Sequence, residues 1–327
     1  MHEALYYEKL EDKKVRCNLC PHHCIIKDGK IGICMGKENR DGVLYAKNYA
    51  QTTSIANDPI EKKPLYHFYP GTYILSISPN SCNLSCKFCQ NWEISQMESP
   101  TQHLSPERAV EFAKKYKSIG ISYTYTEPLM WYEYVLDTAK LAQKEGLKNV
   151  LVTNGFINED PLLKILPLID AMNIDVKSMD DSFYRKICSA KLQPVLKAVE
   201  ISQKSCHIEI TNLVIPTLND TDELFHKLTD WLASVNPNIP LHFSRYFPNY
   251  KMPLPPTPLE TLKRARDIAM KKINYVYVGN IHQEEWNNTY CHNCKKLVIL
   301  REGYFVIEKN YSNGKCNFCK TPLPIVG

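Results

Sequence analysis

The cysteines limit the possible folds and functions of this chain more than any other residue type does. Eleven of the 13 fall into three tight groups, at 17–34, 82–89 and 291–319. The total is odd, C-x-x-C pairs recur, and the first residues lack the basic and apolar stretches of a secretory signal. These features disfavour a disulfide framework, so we interpret the groups as reduced thiolates that hold metals.

The composition is that of an ordinary globular protein. Hydrophobic residues make up 44% and charged residues 23% of the 327 residues, which excludes a largely disordered chain. No apolar run approaches the roughly 18 residues that a membrane span needs, so we expect a cytoplasmic protein with no membrane partner. The net charge of +5 is not gathered into a long basic stripe, and nucleic-acid binding is therefore not indicated.

The order of predicted elements indicates three regions. Residues 1–70 form a module around the first cysteine group, residues 71–284 alternate strands with helices, and residues 285–327 surround the last group. The alternation predicts an α/β fold with a parallel sheet: a partial (β/α)6 TIM-like barrel, with 275–278 as a candidate additional strand, or less well a doubly wound sheet. In either fold the site lies at the C-terminal ends of the strands.

The middle group is a C-x₃-C-x₂-C loop, and it directly follows the first predicted strand of the α/β region. Cys82, Cys86 and Cys89 can bind three irons of a [4Fe–4S] cluster, which leaves one iron without a protein ligand. An open coordination position is typical of catalytic rather than structural metal sites. The alternative is a zinc site completed by His67 or His103.

This loop, placed after the first strand of a (β/α) barrel, resembles that of the radical S-adenosylmethionine (SAM) superfamily. In that superfamily the uncoordinated iron binds the amino and carboxylate groups of SAM. An electron from the cluster cleaves a carbon–sulfur bond, giving methionine and a 5′-deoxyadenosyl radical that abstracts hydrogen from a substrate. The resemblance implies a [4Fe–4S] cluster, SAM, and a reductant such as flavodoxin or ferredoxin.

Segments at three further strand ends resemble those of the pyruvate formate-lyase activating enzymes. Thr126-Glu127-Pro128 is similar to their Gly-Gly-Glu-Pro region, Thr153-Asn154-Gly155 to their T-N-G, and Asp175-Val176-Lys177 to their D-x-K. The resemblance implies that Glu127 and Asp175 meet the SAM ammonium and that Lys177 pairs with its carboxylate. The expected SAM-binding residues are Phe88 (against adenine), Gln90, Glu127, Thr153, Asn154, Asp175 and Lys177.

Each of these residues also has a structural interpretation. The Asp175–Lys177 pair is read alternatively as a surface ion pair worth under about 1 kcal/mol, and Glu127 as an acid at a helix N-terminus. His242 and Arg245, near the end of a late strand, are further candidates for contacting SAM or substrate, with a hydrogen-bonded structural histidine as the alternative.

The two flanking groups each contain four cysteines. Cys291, Cys294, Cys316 and Cys319 form two C-x-x-C pairs 21 residues apart with predicted strands between them, which resembles a zinc ribbon. Metal binding would stabilise a tail too short to fold alone; rubredoxin-like iron is the alternative. Cys17, Cys20, Cys24 and Cys34 support a four-thiolate site, but their spacing does not choose between zinc and an auxiliary Fe–S cluster, and His22 or His23 could replace one ligand.

The whole chain resembles the AmmeMemoRadiSam-system radical SAM enzymes, relatives of the pyruvate formate-lyase activators. The segments that carry this resemblance are 17–24, 58–68, 82–91, 123–128 and 289–291. We therefore expect a radical SAM enzyme that abstracts hydrogen from an unidentified substrate. A partner protein that receives a glycyl radical is one candidate substrate, and an RNA or a small molecule is another. The competing hypothesis is a non-catalytic interaction protein with three structural zinc sites.

Overall fold

The computed structural model describes residues 1–281 and 284–327. The N-terminal residues form short strands in two three-stranded antiparallel sheets and one two-stranded sheet, ordered β1-β6-β5, β2-β3-β4 and β10-β7. These strands are β1 (His2–Glu3), β2 (Tyr7–Lys9), β3 (Val15–Cys17), β4 (Ile25–Ile26), β5 (Lys37–Arg40), β6 (Val43–Ala46), β7 (Gln51–Thr52) and, later in the chain, β10 (Gln102–His103).

The centre of the molecule is an eight-stranded sheet in the order β16-β15-β14-β13-β12-β11-β9-β8. Its strands are β8 (Ser54–Pro59), β9 (Tyr73–Ser78), β11 (Gly120–Tyr123), β12 (Lys148–Thr153), β13 (Ala171–Asp175), β14 (His207–Val214), β15 (Leu241–Arg245) and β16 (Val276–Gly279). Seven of them run parallel, and β8 pairs antiparallel with β9 at one edge. β9 is buried after its first residue and β11 along its whole length, as expected for parallel strands covered on both faces.

Helices connect the parallel strands. They are α1 (Trp92–Ser95), α2 (Pro106–Lys115), α3 (Tyr132–Lys144), α4 (Glu159–Ile165), α5 (Asp181–Phe183), α6 (Leu192–Ser202), α7 (Asp222–Val235) and α8 (Leu259–Ala269). α2 begins as predicted, with the Ser105 hydroxyl accepting a hydrogen bond from the Arg108 amide and Pro106 in the first turn. Within the described residues, every helix is too short or too polar to cross a bilayer.

The predicted α/β alternation is confirmed, with one addition to the expected barrel of six units. The candidate strand near 275–278 is present as β16, so the parallel part of the sheet has seven strands. β8 lies within the predicted N-terminal module but forms the edge of the central sheet, which joins residues 54–59 to the strand that precedes the cysteine loop.

The C-terminal residues form two small sheets that are separate from the central one. β17 (Thr289–Tyr290), β18 (Leu297–Glu302) and β19 (Phe305–Lys309) pair antiparallel, and β20 (Tyr311–Ser312) pairs with β21 (Lys315–Cys316). Arg301 on β18 is fully buried and donates hydrogen bonds to the Tyr66 carbonyl at 2.6 Å and to the Thr289 hydroxyl at 2.8 Å. The segment 60–68 therefore lies between this module and the central sheet.

A buried polar network fixes the segment 60–68 to the strands. The Glu209 carboxylate on β14 accepts hydrogen bonds from the backbone amides of Tyr66 and His67 at 3.0 and 2.7 Å. It also contacts the Nε2 atoms of His207 at 3.0 Å and His242 at 2.6 Å. Because a buried carboxylate is costly unless it is fully hydrogen-bonded, the two contacts with Tyr66 and His67 hold the segment against the strands.

Candidate functional site

A cavity of about 310 Å³ lies at the C-terminal ends of the parallel strands. Cys82, Cys86 and Cys89 all line it, on the loop that follows β9. Residues near the ends of β11, β12, β13, β14 and β15 form much of the remaining wall. The cavity therefore occupies the position at which parallel α/β sheets place their active sites.

The cysteine loop is held in shape by a neighbouring helical turn. Residues Tyr184–Cys188 form a π-helix, and its carbonyls at Ile187 and Cys188 accept hydrogen bonds from the amides of Lys87 and Ser85, each at 3.0 Å. A hydrogen bond with the Cys188 thiol lowers the pKa of Cys86. Cys188 is fully buried and lies outside the lining of the cavity within the described chain.

The donor set of the loop suits an iron–sulfur cluster. Cys82, Cys86 and Cys89 line the same cavity from one short loop. Cysteine thiolates are the usual protein ligands of [4Fe–4S] clusters, and each thiolate binds a different iron. The residues present therefore fit a [4Fe–4S] cluster.

The histidines proposed for a competing zinc site lie elsewhere. His67 is fully buried, and its Nε2 and Nδ1 face the Tyr277 hydroxyl at 2.6 Å and the Pro324 carbonyl at 3.2 Å. His103 is exposed on β10 and lines a different cavity. Neither residue lines the cavity of the cysteine loop in the part of the chain that the structure describes, so that alternative is wrong.

Glu127 follows β11 and is 1% exposed in the cavity wall. Its carboxylate accepts hydrogen bonds from the Thr153 hydroxyl at 2.7 Å, the Asn154 amide at 2.8 Å and the Leu129 amide at 3.0 Å. Burial nevertheless raises the pKa of Glu127 to about 7, and these hydrogen bonds only partly oppose that shift. A buried carboxyl of this kind is favourably placed to receive a cationic group such as an ammonium.

Asn154 connects Glu127 to the cysteine loop. Its backbone amide donates a hydrogen bond to the Glu127 carboxylate. Its side-chain amide donates to the Asn83 side-chain oxygen at 3.0 Å and lies 3.8 Å from the Cys82 sulfur. Burial and the nearby Glu127 carboxylate raise the pKa of the Cys82 thiol well above its usual value. The structure thus brings together Glu127, Thr153 and Asn154, which the sequence had placed after two different strands.

Asp175 and Lys177 meet at the end of β13 and line the same cavity. The Lys177 ammonium lies 2.8 Å from the Asp175 carboxylate, with side chains 12% and 35% exposed. Burial alone would lower the pKa of Lys177, but Asp175 and the thiols of Cys86 and Cys188 raise it well above its usual value. Lys177 is therefore a firmly protonated cation in the cavity wall, and it suits a carboxylate ligand.

Phe88 and Gln90 both line the cavity from the cysteine loop itself. Phe88 is 5% exposed, and the Lys177 ammonium lies 5.8 Å from the centre of its ring. Gln90 is exposed at the cavity mouth. Every SAM-binding residue expected from the sequence thus lines this one cavity.

A lysine–aspartate–tyrosine cluster in the cavity wall was missed by the sequence analysis. Lys63, 1% exposed, lies 2.7 Å from the Asp58 carboxylate, which also contacts Lys62 at 2.9 Å and the Tyr125 hydroxyl. Burial lowers the pKa of Lys63 to about 8 although Asp58 opposes the shift. Both lysines and Tyr125 line the cavity. The sequence motif at 58–63 could have indicated this cluster, but we used it only as evidence of resemblance to a family.

Two late-strand candidates do not reach the cavity. His242 is buried against Glu209 at 2.6 Å, and the Arg245 guanidinium donates to the Thr257 carbonyl at 2.8 Å. Ser244, between them, is the residue of β15 that lines the cavity. Among the described residues, neither His242 nor Arg245 is part of the cavity lining, and the buried contact of His242 with Glu209 agrees with its structural interpretation.

The C-terminal quartet is a compact tetrad of sulfurs. Cys291, Cys294, Cys316 and Cys319 place all four sulfurs within 4.8 Å of one another. The Cys291–Cys319 and Cys294–Cys316 sulfurs are 3.6 and 3.8 Å apart. Four ligands bound tetrahedrally at about 2.3 Å stand about 3.8 Å apart, so this donor set fits one metal ion.

The N-terminal quartet encloses a small buried cavity beside the cysteine loop. Cys17, Cys20, Cys24 and Cys34 all line it, and three of them are 7–8% exposed. Burial raises the pKa of the Cys20 thiol to about 12, and the nearby Cys34 and Cys17 contribute to the shift. The four side chains therefore converge on one site.

The two adjacent histidines have other partners. The Nε2 atom of His22 lies 2.7 Å from the Asn83 carbonyl, although His22 also lines the small cavity. The Nδ1 atom of His23 lies 3.1 Å from the Asn18 side-chain oxygen. His22 therefore lines the small cavity together with the four cysteines, whereas His23 is not among the described residues that line it.

Known proteins similar to this chain agree with the architecture. The family model described as the radical SAM superfamily matches residues 76–231. An uncharacterized protein of Methanocaldococcus jannaschii is 47% identical over 338 residues, covering 100% of both chains.

Two better-described proteins match in part. The pyruvate formate-lyase 1-activating enzyme of Escherichia coli (strain K12) is 25% identical over 158 residues, covering 46% of this chain and 64% of the enzyme. The structure of Streptococcus suis SuiB bound to S-adenosylmethionine superposes with a TM-score of 0.51 at 16% identity, covering 66% of this chain and 50% of SuiB. The likeness to SuiB concerns the fold alone.

Proposed function

The chain belongs to the radical SAM superfamily, and from this premise we propose that it is an enzyme that cleaves SAM reductively and abstracts a hydrogen atom from a substrate. The single observation that carries the proposal is that Cys82, Cys86 and Cys89 line one cavity together with Glu127 and Lys177. When bound, the cluster supplies the electron that converts SAM to methionine and a 5′-deoxyadenosyl radical.

The chain's own residues are assigned to orient SAM. Glu127 accepts a hydrogen bond from the SAM ammonium, with Asp175 beside it, because a buried carboxyl gains most from a cation. Lys177 pairs with the SAM carboxylate. Thr153 and Asn154 hold the Glu127 carboxylate in position through hydrogen bonds of 2.7 and 2.8 Å.

The adenine end of SAM is assigned to the cysteine loop. Phe88 packs against the base, since its ring lines the cavity and an aromatic face suits a flat heterocycle. Gln90 supplies polar contacts at the mouth. The substrate then occupies the remaining wall, which includes Thr211, Leu213 and Ser244.

Partners and accessory metals complete the proposal. A low-potential donor such as flavodoxin or ferredoxin supplies the electron, and the protein acts in the cytoplasm. The C-terminal quartet binds zinc in a ribbon-like module at 285–327, and the quartet of the N-terminal module at 1–70 binds zinc or an auxiliary Fe–S cluster. The substrate that donates the hydrogen atom is unidentified: a glycine of a partner protein, as for pyruvate formate-lyase activating enzymes, is one candidate, and an RNA or a small molecule is another.

The test is product formation by protein reconstituted anaerobically with iron and sulfide. With dithionite and SAM, the wild type should release methionine and 5′-deoxyadenosine, and Cys86→Ala should release neither. Cys206→Ala, at a cysteine outside the three groups, is the matched control and should behave as the wild type. A reconstituted wild type that holds a full cluster yet yields no 5′-deoxyadenosine would refute the proposal.

Metal content separates this function from the non-catalytic alternative. The enzyme requires about four irons and four sulfides at the cysteine loop. Three zincs per chain with no iron or sulfide would instead identify a structural zinc protein. A glycyl-radical activator would additionally generate a doublet in the EPR spectrum of its partner protein.

A further inference from the structure

The charged side chains of the SAM cavity do not balance once SAM has been assigned. Among the described residues, five charged side chains line this cavity: Lys62, Lys63, Glu127, Asp175 and Lys177. The proposed function assigns the last three to the ammonium and the carboxylate of SAM. The two that remain are both cations, and a cavity wall with two unassigned cations suits a second, anionic ligand.

A single carboxylate offsets only part of this positive charge. Asp58 is 6% exposed, and its two carboxylate oxygens accept hydrogen bonds from the ammonium groups of Lys62 at 2.9 Å and of Lys63 at 2.7 Å. The Tyr125 hydroxyl donates to the same carboxylate. Two cations and one anion leave a formal net charge of +1 on this group, and Asp58 is not among the described residues that line the cavity.

Lys63 is the more buried of the two cations. Its side chain is 1% exposed, compared with 44% for Lys62, and its ammonium lies 4.3 Å from the centre of the Tyr125 ring. An ammonium has three N–H donors, and the hydrogen bond to Asp58 uses one of them. Burial lowers the pKa of Lys63 to about 8, so the charged form prevails at pH 7 and an anionic ligand would favour it further.

Tyr125 has an unusual backbone conformation beside these lysines. Its φ angle is +67°, in the left-handed region that an aromatic residue rarely adopts. Strained residues of this kind cluster at functional sites. Its carbonyl accepts a hydrogen bond of 2.7 Å from the side chain of Asn91, which follows the cysteine loop. Tyr125 thus contacts the cysteine-loop side of the cavity through its carbonyl and the Asp58 carboxylate through its hydroxyl.

The carboxylate that holds the lysines lies away from the cysteine loop along the sheet. Asp58 on β8 pairs with Ile74, near the start of β9, whereas the cysteine loop follows Ser78 at the end of β9. Four residues of an extended strand span about 13 Å. The cavity lining therefore reaches from the cysteine loop toward the start of β9, and a ligand anchored at the lysines would present its other end to SAM.

We propose that Lys62 and Lys63 bind the anionic group, a carboxylate or a phosphate, of a small-molecule substrate that shares the cavity with SAM. Asp58 and Tyr125 are positioning residues that hold the two ammonium groups together. A glycine within a peptide carries no anionic group, so the inference favours a small molecule over a glycyl-radical partner. It rests on the proposed function, because the other three charged residues of the cavity are assigned there to SAM.

Anion binding tests the site without relying on SAM cleavage. The reconstituted Lys177→Met protein is titrated in a calorimeter with acetate, with inorganic phosphate and with neutral acetamide, because this background removes the cation assigned to the SAM carboxylate. Acetate or phosphate should bind at one ion per chain, and acetamide should not bind. The anion that binds distinguishes a carboxylate from a phosphate site. Binding of neither anion would overturn the proposal.

Further substitutions in this background separate ligand binding from a structural ion pair. Lys63→Met and Lys62→Met each leave a neutral lysine–aspartate pair, so anion affinity should fall about ten-fold or more in both. Asp58→Asn removes the competing carboxylate and should strengthen anion binding about five-fold or more. A merely structural ion pair would give no such gain. Lys115→Met, on the exposed surface of α2, is the matched control and should bind as the background does.

Two results would contradict the assignment. One is unaltered anion affinity in the lysine variants, and the other is unaltered or weaker binding in Asp58→Asn. If Lys63→Met fails to fold by circular dichroism, Lys62→Met decides the question, because the Lys62 side chain is 44% exposed. The titrations contain neither SAM nor a reductant, so they are independent of the release of 5′-deoxyadenosine by the wild type, which tests the proposed function separately.

Discussion

The Thr153 hydroxyl donates a hydrogen bond of 2.7 Å to the Glu127 carboxylate, although the two residues follow different strands. The contact exists because β11 and β12 are parallel neighbours in register, so that their C-terminal ends coincide. This hydrogen bond holds the buried Glu127 carboxyl in position, and burial raises the pKa of that carboxyl to about 7. The orientation of this carboxyl is therefore set by the sheet.

Replacing Thr153 by Val removes this hydrogen bond while keeping the shape of the side chain. Loss of a hydrogen bond to a charged group costs about 1.5–3 kcal/mol, so SAM affinity at pH 7 should fall about ten-fold or more. Anaerobic equilibrium dialysis of SAM against the reconstituted protein measures the change. Thr101→Val, on the exposed surface, should leave the affinity unaltered; equal affinities for all three proteins would exclude the assigned role.

Replacing Lys177 by Met removes the cation assigned to the SAM carboxylate. We expect SAM to bind about 10–100-fold more weakly, since a charge-assisted hydrogen bond is lost. Asp175 is 35% exposed and can be solvated in the variant, so folding should be retained. The same dialysis reports the affinity, and circular dichroism checks the fold.

Lys186 offers the matched control for this change. It is exposed on the π-helical turn that follows Lys177, and Lys186→Met should bind SAM as the wild type does. Unaltered affinity in Lys177→Met would assign Lys177 to the structural ion pair with Asp175.

Acid should destabilise the protein through Glu209. Burial alone would raise the pKa of this carboxyl, but hydrogen bonds from His207 and His242 outweigh it and hold the pKa well below its usual value of 4.5. Because the folded-state pKa is depressed, the stabilisation is complete above about pH 4.5 and is lost as the pH falls below it. Urea unfolding at a series of pH values between 7 and 3 should reveal this loss.

The Glu209→Gln variant isolates that contribution. It should be less stable than the wild type by about 3–5 kcal/mol at pH 7, because one buried partner of the network is removed. The difference should shrink toward pH 3. Glu111→Gln, at an exposed carboxylate, should track the wild type throughout; a stability gap that stays constant with pH would contradict the assignment.

Removing one ligand of the C-terminal quartet should release one zinc. Cys316→Ser should lose about one zinc per chain and unfold at a lower temperature, because the small module depends on the metal for stability. The absorption of the radical SAM cluster should persist, since Cys316 lies in a separate sheet. Calorimetry and metal analysis provide the two readouts, and a variant that retains its full zinc content would disprove the assignment.

Much of the fold could be predicted because its signals are local. The cap at Ser105 and Pro106 and the apolar strands gave the alternation of elements, and the cysteine spacing gave the loop. The residues around Glu127 and Lys177 were predictable because the ends of parallel strands meet at one edge.

The features that the sequence analysis missed depend on how far each side chain lies from the cavity. The spacing of residues along the chain does not give this distance. His242 and Ser244 lie on the same face of β15 because side chains alternate along a strand, yet only Ser244, nearer the C-terminal end, lines the cavity. Lys63 reaches the cavity from a segment that precedes the parallel strands, and Cys188 reaches the loop from a π-helical turn. No periodicity of the sequence brings these distant segments together.

The amides of Ser85 and Lys87 are already bonded to the carbonyls of the π-helical turn at 3.0 Å. These two hydrogen bonds tie the backbone between Cys82 and Cys89 to the turn at Tyr184–Cys188. A substitution that changes the path of that turn should therefore displace the three thiols together.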